Sequence, residues 1–286
     1  MSVPWYPGHM EKAKRDLLRH LKGVDVVVET LDARIPAASR NPQVDRLLAG
    51  LARVVALNKA DLADPQQTQR WLAHLAQQGW PAVATDGQGG GGVRELLATI
   101  GSLAEKRLAA WMGKGRQRRA VRVMVVGIPN VGKSSLINRM AGRSGAKTGD
   151  RPGITRGPQW LRVGPELELL DTPGILWPKA GDPEARFKLA VTGAIDLHLF
   201  RVDEVALRLL GWLEQSAPGA LADRFALSSE ERTDPEAALA AIGRRRGCLM
   251  AGGRVDLERA ATLVLTEFRK GRLGAHTLDD PPEEPG

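Results

Sequence analysis

The sequence predicts an α/β fold, a mostly parallel sheet with helices on both faces, joined to a smaller all-helical C-terminal domain. Three observations predict it. Short, nearly continuous apolar runs recur up to residue 170 and alternate with helical patterns, as buried parallel strands do. After Pro178 these runs stop and helical periodicity dominates. Within the first regime, Gly127-Ile128-Pro129-Asn130-Val131-Gly132-Lys133-Ser134 gives G-x-x-x-x-G-K-S, directly after one apolar run and ahead of a helical pattern. That context is the one a phosphate-binding loop requires.

Taken in order, strands are expected over 25–31, 53–57, 121–126 and 167–170, and helices over 65–78 and 93–110. Gly87 to Gly92 reads as a glycine-rich turn between a strand and a helix, and 112–119 as a basic connection. Near the C-terminus, Leu257, Ala260, Ala261, Val264, Leu265 and Phe268 fall on one helical face behind Asp256, a plausible N-cap. Arg254, Arg259, Arg269, Lys270 and Arg272 lie mostly off that stripe and could meet phosphates. The predicted domains are 1–180, 181–275 and an acidic, Pro-rich tail over 276–286, expected to be disordered.

Composition narrows the function class. With 286 residues and 43% hydrophobic content, the chain can bury the core of one ordinary domain plus a smaller one. No apolar run reaches the ~18–20 residues of a membrane span, and the N-terminus lacks a basic head followed by an apolar stretch. A single cysteine, Cys248, excludes an intramolecular disulfide framework and reads as a small buried hydrophobe. A cytoplasmic monomer with no membrane partner is therefore expected. The net charge of +8 and a pI near 10.0 point to a polyanionic partner. Seven Lys or Arg and no acid fall between Lys106 and Arg122, and Arg244-Arg245-Arg246 is a second cluster.

Three motifs carry chemistry. In the phosphate loop, backbone N–H groups turn inward on a phosphate, Lys133 adds positive charge, and the Ser134 hydroxyl ligates Mg²⁺. Asn130, Val131, Gly132, Lys133, Ser134 and Ser135 are the expected nucleotide contacts. Asp171-Thr172-Pro173-Gly174 ends a strand 37 residues after Ser134. Asp171 would hold Mg²⁺ through water, and the Gly174 N–H would sense a γ-phosphate. Asn58-Lys59-Ala60-Asp61 ends another strand. The Asp61 carboxylate can accept from guanine N1–H and N2–H₂, donors that adenine lacks, which selects GTP over ATP. Asn58 can contact guanine O6/N7, and the Lys59 stem can lie over the base. In the polar stretch 147–155, Thr155 is the choice for a second Mg²⁺ hydroxyl, with Thr148 the competitor. The base-reading motif precedes the phosphate loop, so the order is that of a circularly permuted P-loop GTPase domain. The joint is the basic stretch 112–119. The cut leaves both the N-terminal segment and the helical domain attached near the Asp171–Gly174 switch.

The motif order, the opening Trp5-Tyr6-Pro7-Gly8-His9-Met10, Asp32-Ala33-Arg34-Ile35-Pro36, Ser39-Arg40-Asn41-Pro42 and Thr148-Gly149-Asp150-Arg151-Pro152-Gly153-Ile154-Thr155 carry a family resemblance. So do Leu176-Trp177-Pro178-Lys179, Ala190-Val191-Thr192-Gly193-Ala194-Ile195 and Gly247-Cys248-Leu249-Met250. Together they resemble the circularly permuted ribosome-assembly GTPases over nearly the whole chain. The resemblance implies a GTP-hydrolysing factor that binds the large ribosomal subunit, rRNA and proteins, late in assembly, with a helical RNA-contacting domain. The expected cycle is binding in the GTP form and release on hydrolysis, with a low intrinsic rate raised by the subunit. Ile175, where Ras-like enzymes carry a water-orienting Gln, has no polar group, so His9 is the leading catalytic candidate beside Lys133, and the resemblance implies that role. Asn130 resembles the asparagine that helps hold K⁺ in monovalent-cation-dependent GTPases. One departure is visible: the Ser-Ala pair usual in guanine loops is replaced by Ala84-Thr85-Asp86-Gly87. The alternative functions are a GTPase serving another RNA or ribosomal target, and a nucleotide-gated RNA-binding module.

Overall fold

The computed structural model describes residues 18–21, 23–113, 115, 119–142, 159–163, 165–171 and 182–282. The chain forms two compact units, one of Met1–Ala185 with His276–Gly286, the other of Arg186–Ala275.

The first unit is built on a six-stranded sheet in the order β3-β2-β1-β4-β6-β5. Its strands are β1 (Val26–Asp32), β2 (Ala52–Asn58), β3 (Ala82–Thr85), β4 (Val121–Val126), β5 (Gln159–Val163) and β6 (Leu167–Asp171). All neighbours pair in parallel except β5, which runs antiparallel to β6. Val26, Val28, Val54, Val123 and Val125 on one face and Val27, Val55 and Met124 on the other are fully buried, and burial on both faces is why the parallel strands read as continuous apolar runs. The helices of this unit are α1 (Pro36–Ser39), α2 (Pro42–Leu47), α3 (Pro65–Gln77), α4 (Val93–Met112) and α5 (Lys133–Met140). Leu96 and Ile100 of α4 and Leu136 and Ile137 of α5 cover one face. Val44 of α2, and Trp71 and Leu75 of α3, pack on the other.

Two local differences from the sequence expectation have physical causes. The first strand starts one residue late because Asp25 is tied outside the sheet: its carboxylate accepts from Arg119 at 2.6 and 2.9 Å and from Arg122 N at 2.9 Å. Strand β5 is unpredicted because it is a short edge strand, with Trp160 exposed and only Leu161 and Val163 packed on the core.

The second unit is helical: α6 (Pro183–Thr192, its first turn still in unit one), α7 (Val202–Ser216), α8 (Pro218–Phe225), α9 (Ser229–Thr233), α10 (Pro235–Arg245) and α11 (Leu257–Arg269). Asp256 caps α11 by accepting from Arg259 N, and Ala260, Ala261, Val264, Leu265 and Phe268 are buried. Leu257, at the first helical position, is exposed instead. Cys248 is buried and free. Several arginines expected to face phosphates serve the fold. Arg269 donates to Val191 O at 2.9 Å and Ala190 O at 2.6 Å, satisfying the end of α6. Arg272 pairs with Glu267 at 2.8 Å, and Arg245 with Glu231 at 2.8 Å.

The predicted disorder of 276–286 is corrected over 276–282, which lies along the first unit with Leu278 and Asp279 buried. Trp71 Nε1 donates to Asp279 O at 2.9 Å, and Leu278 N to Arg34 O at 2.7 Å. Composition promises disorder, but these partners lie some two hundred residues away and cannot be read locally.

Candidate nucleotide site

The strand register brings the motifs together. Asp32 pairs with Asn58 and Asn58 with Thr85, while Asp171 pairs with Val125 just before the phosphate loop. All four lie at the carboxyl ends of parallel strands, where open α/β sheets bind ligands.

In the loop after β4, Gly127 and Gly132 adopt φ of 154° and 93°. A side chain at Gly127 would place its Cβ 2.4 Å from Thr30 O, and one at Gly132 would place it 2.3 Å from Asn58 Nδ2. The loop therefore needs glycine at both ends for close approach as well as for conformation. Asn130 sits in the left-handed region at φ 57°, which asparagine tolerates better than most residues. Lys133 is buried, and its Nζ donates to Gly127 O at 3.1 Å and Ile128 O at 2.9 Å. Burial depresses its pKa to about 8, opposed by Asp171 and reinforced by Lys59. The ammonium is thus folded onto loop carbonyls, and incoming phosphate oxygens would favour its charged form.

Ser134 and Ser135 are half-buried in the first turn of α5. Ser134 Oγ donates to Asp171 Oδ2 at 2.9 Å. A hydroxyl and a carboxylate held together are hard oxygen donors suited to Mg²⁺, which usually keeps waters and substrate phosphates for its remaining positions. Among the described residues there is no group of three or more His, Cys, Asp or Glu that could hold a metal ion.

The base-reading motif is locked to the phosphate loop. Asn58, at 1% exposure, donates from Nδ2 to Val131 O at 2.8 Å. Its Oδ1 accepts from Gly87 N at 2.9 Å and Thr85 Oγ1 at 3.2 Å. Asn58 therefore ties three loops together rather than simply facing the base; an amide nitrogen carries two protons, which leaves one for guanine N7. Its carbonyl oxygen is committed to the protein. Lys59, in the left-handed region at φ 61°, reaches across the phosphate loop to Asn130 O at 2.5 Å and Asp32 Oδ2 at 3.0 Å. Asp61 follows, exposed in a one-turn 3₁₀ helix. Partial desolvation and the neighbouring Asp86 raise its pKa above the usual carboxylate value.

Two groups of residues here escape motif reasoning. Asp32 and Arg34 are buried and form a bidentate pair at 2.9 and 2.7 Å, and Arg34 with Lys59 holds the Asp32 pKa far below the carboxylate range against the opposing effect of burial. This pair anchors the Lys59 ammonium. The available signal was an Asp ending an apolar strand with Arg two residues on. In the guanine loop, Asp86 N donates to Gly91 O at 2.9 Å, and Asp86 Oδ1 accepts from Gln88 N at 2.8 Å and Gly89 N at 2.7 Å. With Gly87 N on Asn58, the departure from Ser-Ala is a self-contained turn whose N–H groups are engaged within the protein. His9, Thr148, Thr155, Gly174 and Ile175 lie outside the described residues.

A parallel sheet with a glycine loop and lysine at one strand end, and an Asn-Lys-x-Asp loop locked to it from an earlier strand, defines a circularly permuted P-loop GTPase. Comparison with known proteins agrees. The family described as "50S ribosome-binding GTPase" matches residues 122–225. The ribosome biogenesis GTPase A of Priestia megaterium is 48% identical over 99% of this chain and 98% of its own length. YlqF from T. maritima, in a GNP-bound crystal structure, is 28% identical over 95% of this chain and 99% of that one, with a TM-score of 0.67. A GDP-bound YlqF structure is 27% identical over 93% and 98%, with a TM-score of 0.65. The chain belongs to the ribosome biogenesis GTPase A family. Among the described residues no helix is long and apolar enough to cross a membrane.

Proposed function

We propose that this GTPase acts on the large ribosomal subunit late in assembly, binding the pre-subunit in its GTP form and leaving when GTP is hydrolysed. The observation that carries the proposal is the match of the "50S ribosome-binding GTPase" family to 122–225, the stretch that holds the phosphate loop and Asp171. The net charge of +8 supports an rRNA partner.

In this reading Asp61 accepts from the guanine N1–H and N2–H₂, Asn58 keeps the base loop in register with the phosphates, and the Lys59 stem covers the base. Asn130, Val131, Gly132, Lys133, Ser134 and Ser135 receive the phosphates. Ser134, Asp171 and Thr155 hold Mg²⁺, which would offset charge on the β/γ oxygens. Gly174 senses the γ-phosphate. Asn130 holds K⁺, and His9 positions the attacking water.

The test is GTP turnover with purified subunits. Large subunits should stimulate it and small subunits should not. His9→Ala should keep GTP affinity and lose about 10²–10⁴ of the stimulated rate. KCl should support faster turnover than NaCl. Stimulation by small subunits alone would reassign the target, a near-wild-type rate for His9→Ala would remove that histidine, and equal rates in the two salts would remove K⁺.

A further inference from the structure

The chain leaves the helical unit after Ala275, and within two residues it is bonded to the nucleotide side of the GTPase unit. Its hydrogen bonds there converge on two segments. His276 N donates to Leu62 O at 3.0 Å, directly after Asp61. Thr277 Oγ1 accepts from Asp64 N at 3.2 Å and donates to Ala33 O at 3.3 Å. Leu278 N donates to Arg34 O at 2.7 Å. Asp279 fixes the far end, with Oδ2 accepting from Ala38 N at 2.9 Å and its carbonyl accepting from Trp71 Nε1 at 2.9 Å.

Both clamped segments adjoin the base-reading apparatus. Leu62 and Asp64 immediately follow Asp61. Ala33 and Arg34 follow Asp32, whose carboxylate holds the Lys59 ammonium. Thr277 bridges the two through one hydroxyl. Asp61 itself is exposed on a one-turn helix.

We propose that residues 276–280 form a strap that belongs to the guanine-specificity apparatus, with Thr277 as a positioning residue that holds the Asp61 turn against the segment after β1. The proposal rests on the reading of Asp61 as the acceptor for the guanine amino group.

A strap that merely stabilises the fold would lower the melting temperature and weaken every nucleotide alike. A strap that positions Asp61 would alter discrimination at the base. Inosine triphosphate lacks the 2-amino group, so the ratio of its Kd to that of GTP reads the Asp61 contact separately from the phosphates. Thr277→Val keeps the side-chain shape and removes both hydroxyl bonds. We expect it to reduce the ratio about 3- to 10-fold, the worth of one or two hydrogen bonds in geometry, and Thr277→Ser to restore it. An unchanged ratio in Thr277→Val, or an equal loss in Thr277→Ser, overturns the proposal. Asp61→Ala separates the two layers. If it leaves the ratio at the wild-type value, the Asp61 reading and the strap proposal both fail. If it collapses the ratio while Thr277→Val does not, only the strap proposal fails.

Discussion

Replacing Asn58 by alanine should damage the fold and the nucleotide site together. The substitution removes the donor to Val131 O at 2.8 Å and the acceptor for Gly87 N at 2.9 Å and Thr85 Oγ1 at 3.2 Å, at a position 1% exposed. A buried polar group that loses its partner costs about 1–3 kcal/mol, so three of them cost about 3–9 kcal/mol. Water entering the vacated space would satisfy part of this, leaving about 3–5 kcal/mol. For a unit of this size, at about 2–4 °C per kcal/mol, the melting temperature should drop by at least about 6 °C. The transition to follow is the one that nucleotide shifts upward, because a ligand stabilises the unit that binds it. GTP affinity should fall by at least about tenfold, or 1.4 kcal/mol, because the base loop and the phosphate loop lose their common tie. Asn58→Asp isolates the donor: it keeps an acceptor for Gly87 N but sets a second oxygen against Val131 O. It should be no better tolerated than alanine. A melting temperature within 2 °C of wild type and a Kd within about twofold, in both variants, would refute the three-loop tie.

Two further predictions address the ends of the nucleotide. Asp61→Asn should weaken GTP binding and shift preference toward xanthosine triphosphate, whose C2 carbonyl suits an amide donor; unchanged GTP affinity on titration would remove Asp61 from the base site. Lys133 predicts a pH effect with a defined sign: its folded pKa of about 8 lies below the usual 10.5, so between those values the unfolded chain holds more protons than the nucleotide-free fold. The nucleotide-free fold therefore carries the cost of the buried ammonium in full below about pH 8, gains stability as pH rises from about 8 to 10.5, and is indifferent to this group above that. Phosphate restores the charged form, so GTP binding at pH 8 should take up as much as about half a proton. Calorimetric titration in buffers of different ionisation enthalpy reads this uptake; its absence would contradict a phosphate contact for Lys133.

Motif residues were legible because their chemistry tolerates few substitutes. A lysine after glycine, a serine beside a strand-end aspartate, and an Asn-Lys-x-Asp string each announce a role whatever surrounds them. The parallel strands were legible because Val26, Val28, Val54 and Val125 on one face and Val27, Val55 and Met124 on the other are all buried and must all be apolar. What remained hidden depends on partners remote in the chain. Asp32 and Arg34 lie two residues apart, yet their importance comes from Lys59, which only the β1–β2 register brings within 3.0 Å. The segment 276–282, which includes the strap, reads as a polar, Pro-containing tail until Trp71 and Arg34 are placed beside it. Basic clusters misled for the same reason. Arg119 stands in the most basic stretch of the sequence, but it is bound to Asp25 and stacks over Trp111 at 4.7 Å, so part of that charge holds the permutation joint together.

The central claim is nucleotide-gated binding to the large ribosomal subunit, and co-sedimentation with separated subunits tests it most directly. With a non-hydrolysable GTP analogue, the protein should pellet with large subunits and not with small ones. With GDP it should pellet less, and rising salt should release it steeply as counterions return to rRNA phosphates. Equal binding in the GDP and analogue forms, or binding to the small subunit alone, would contradict the account.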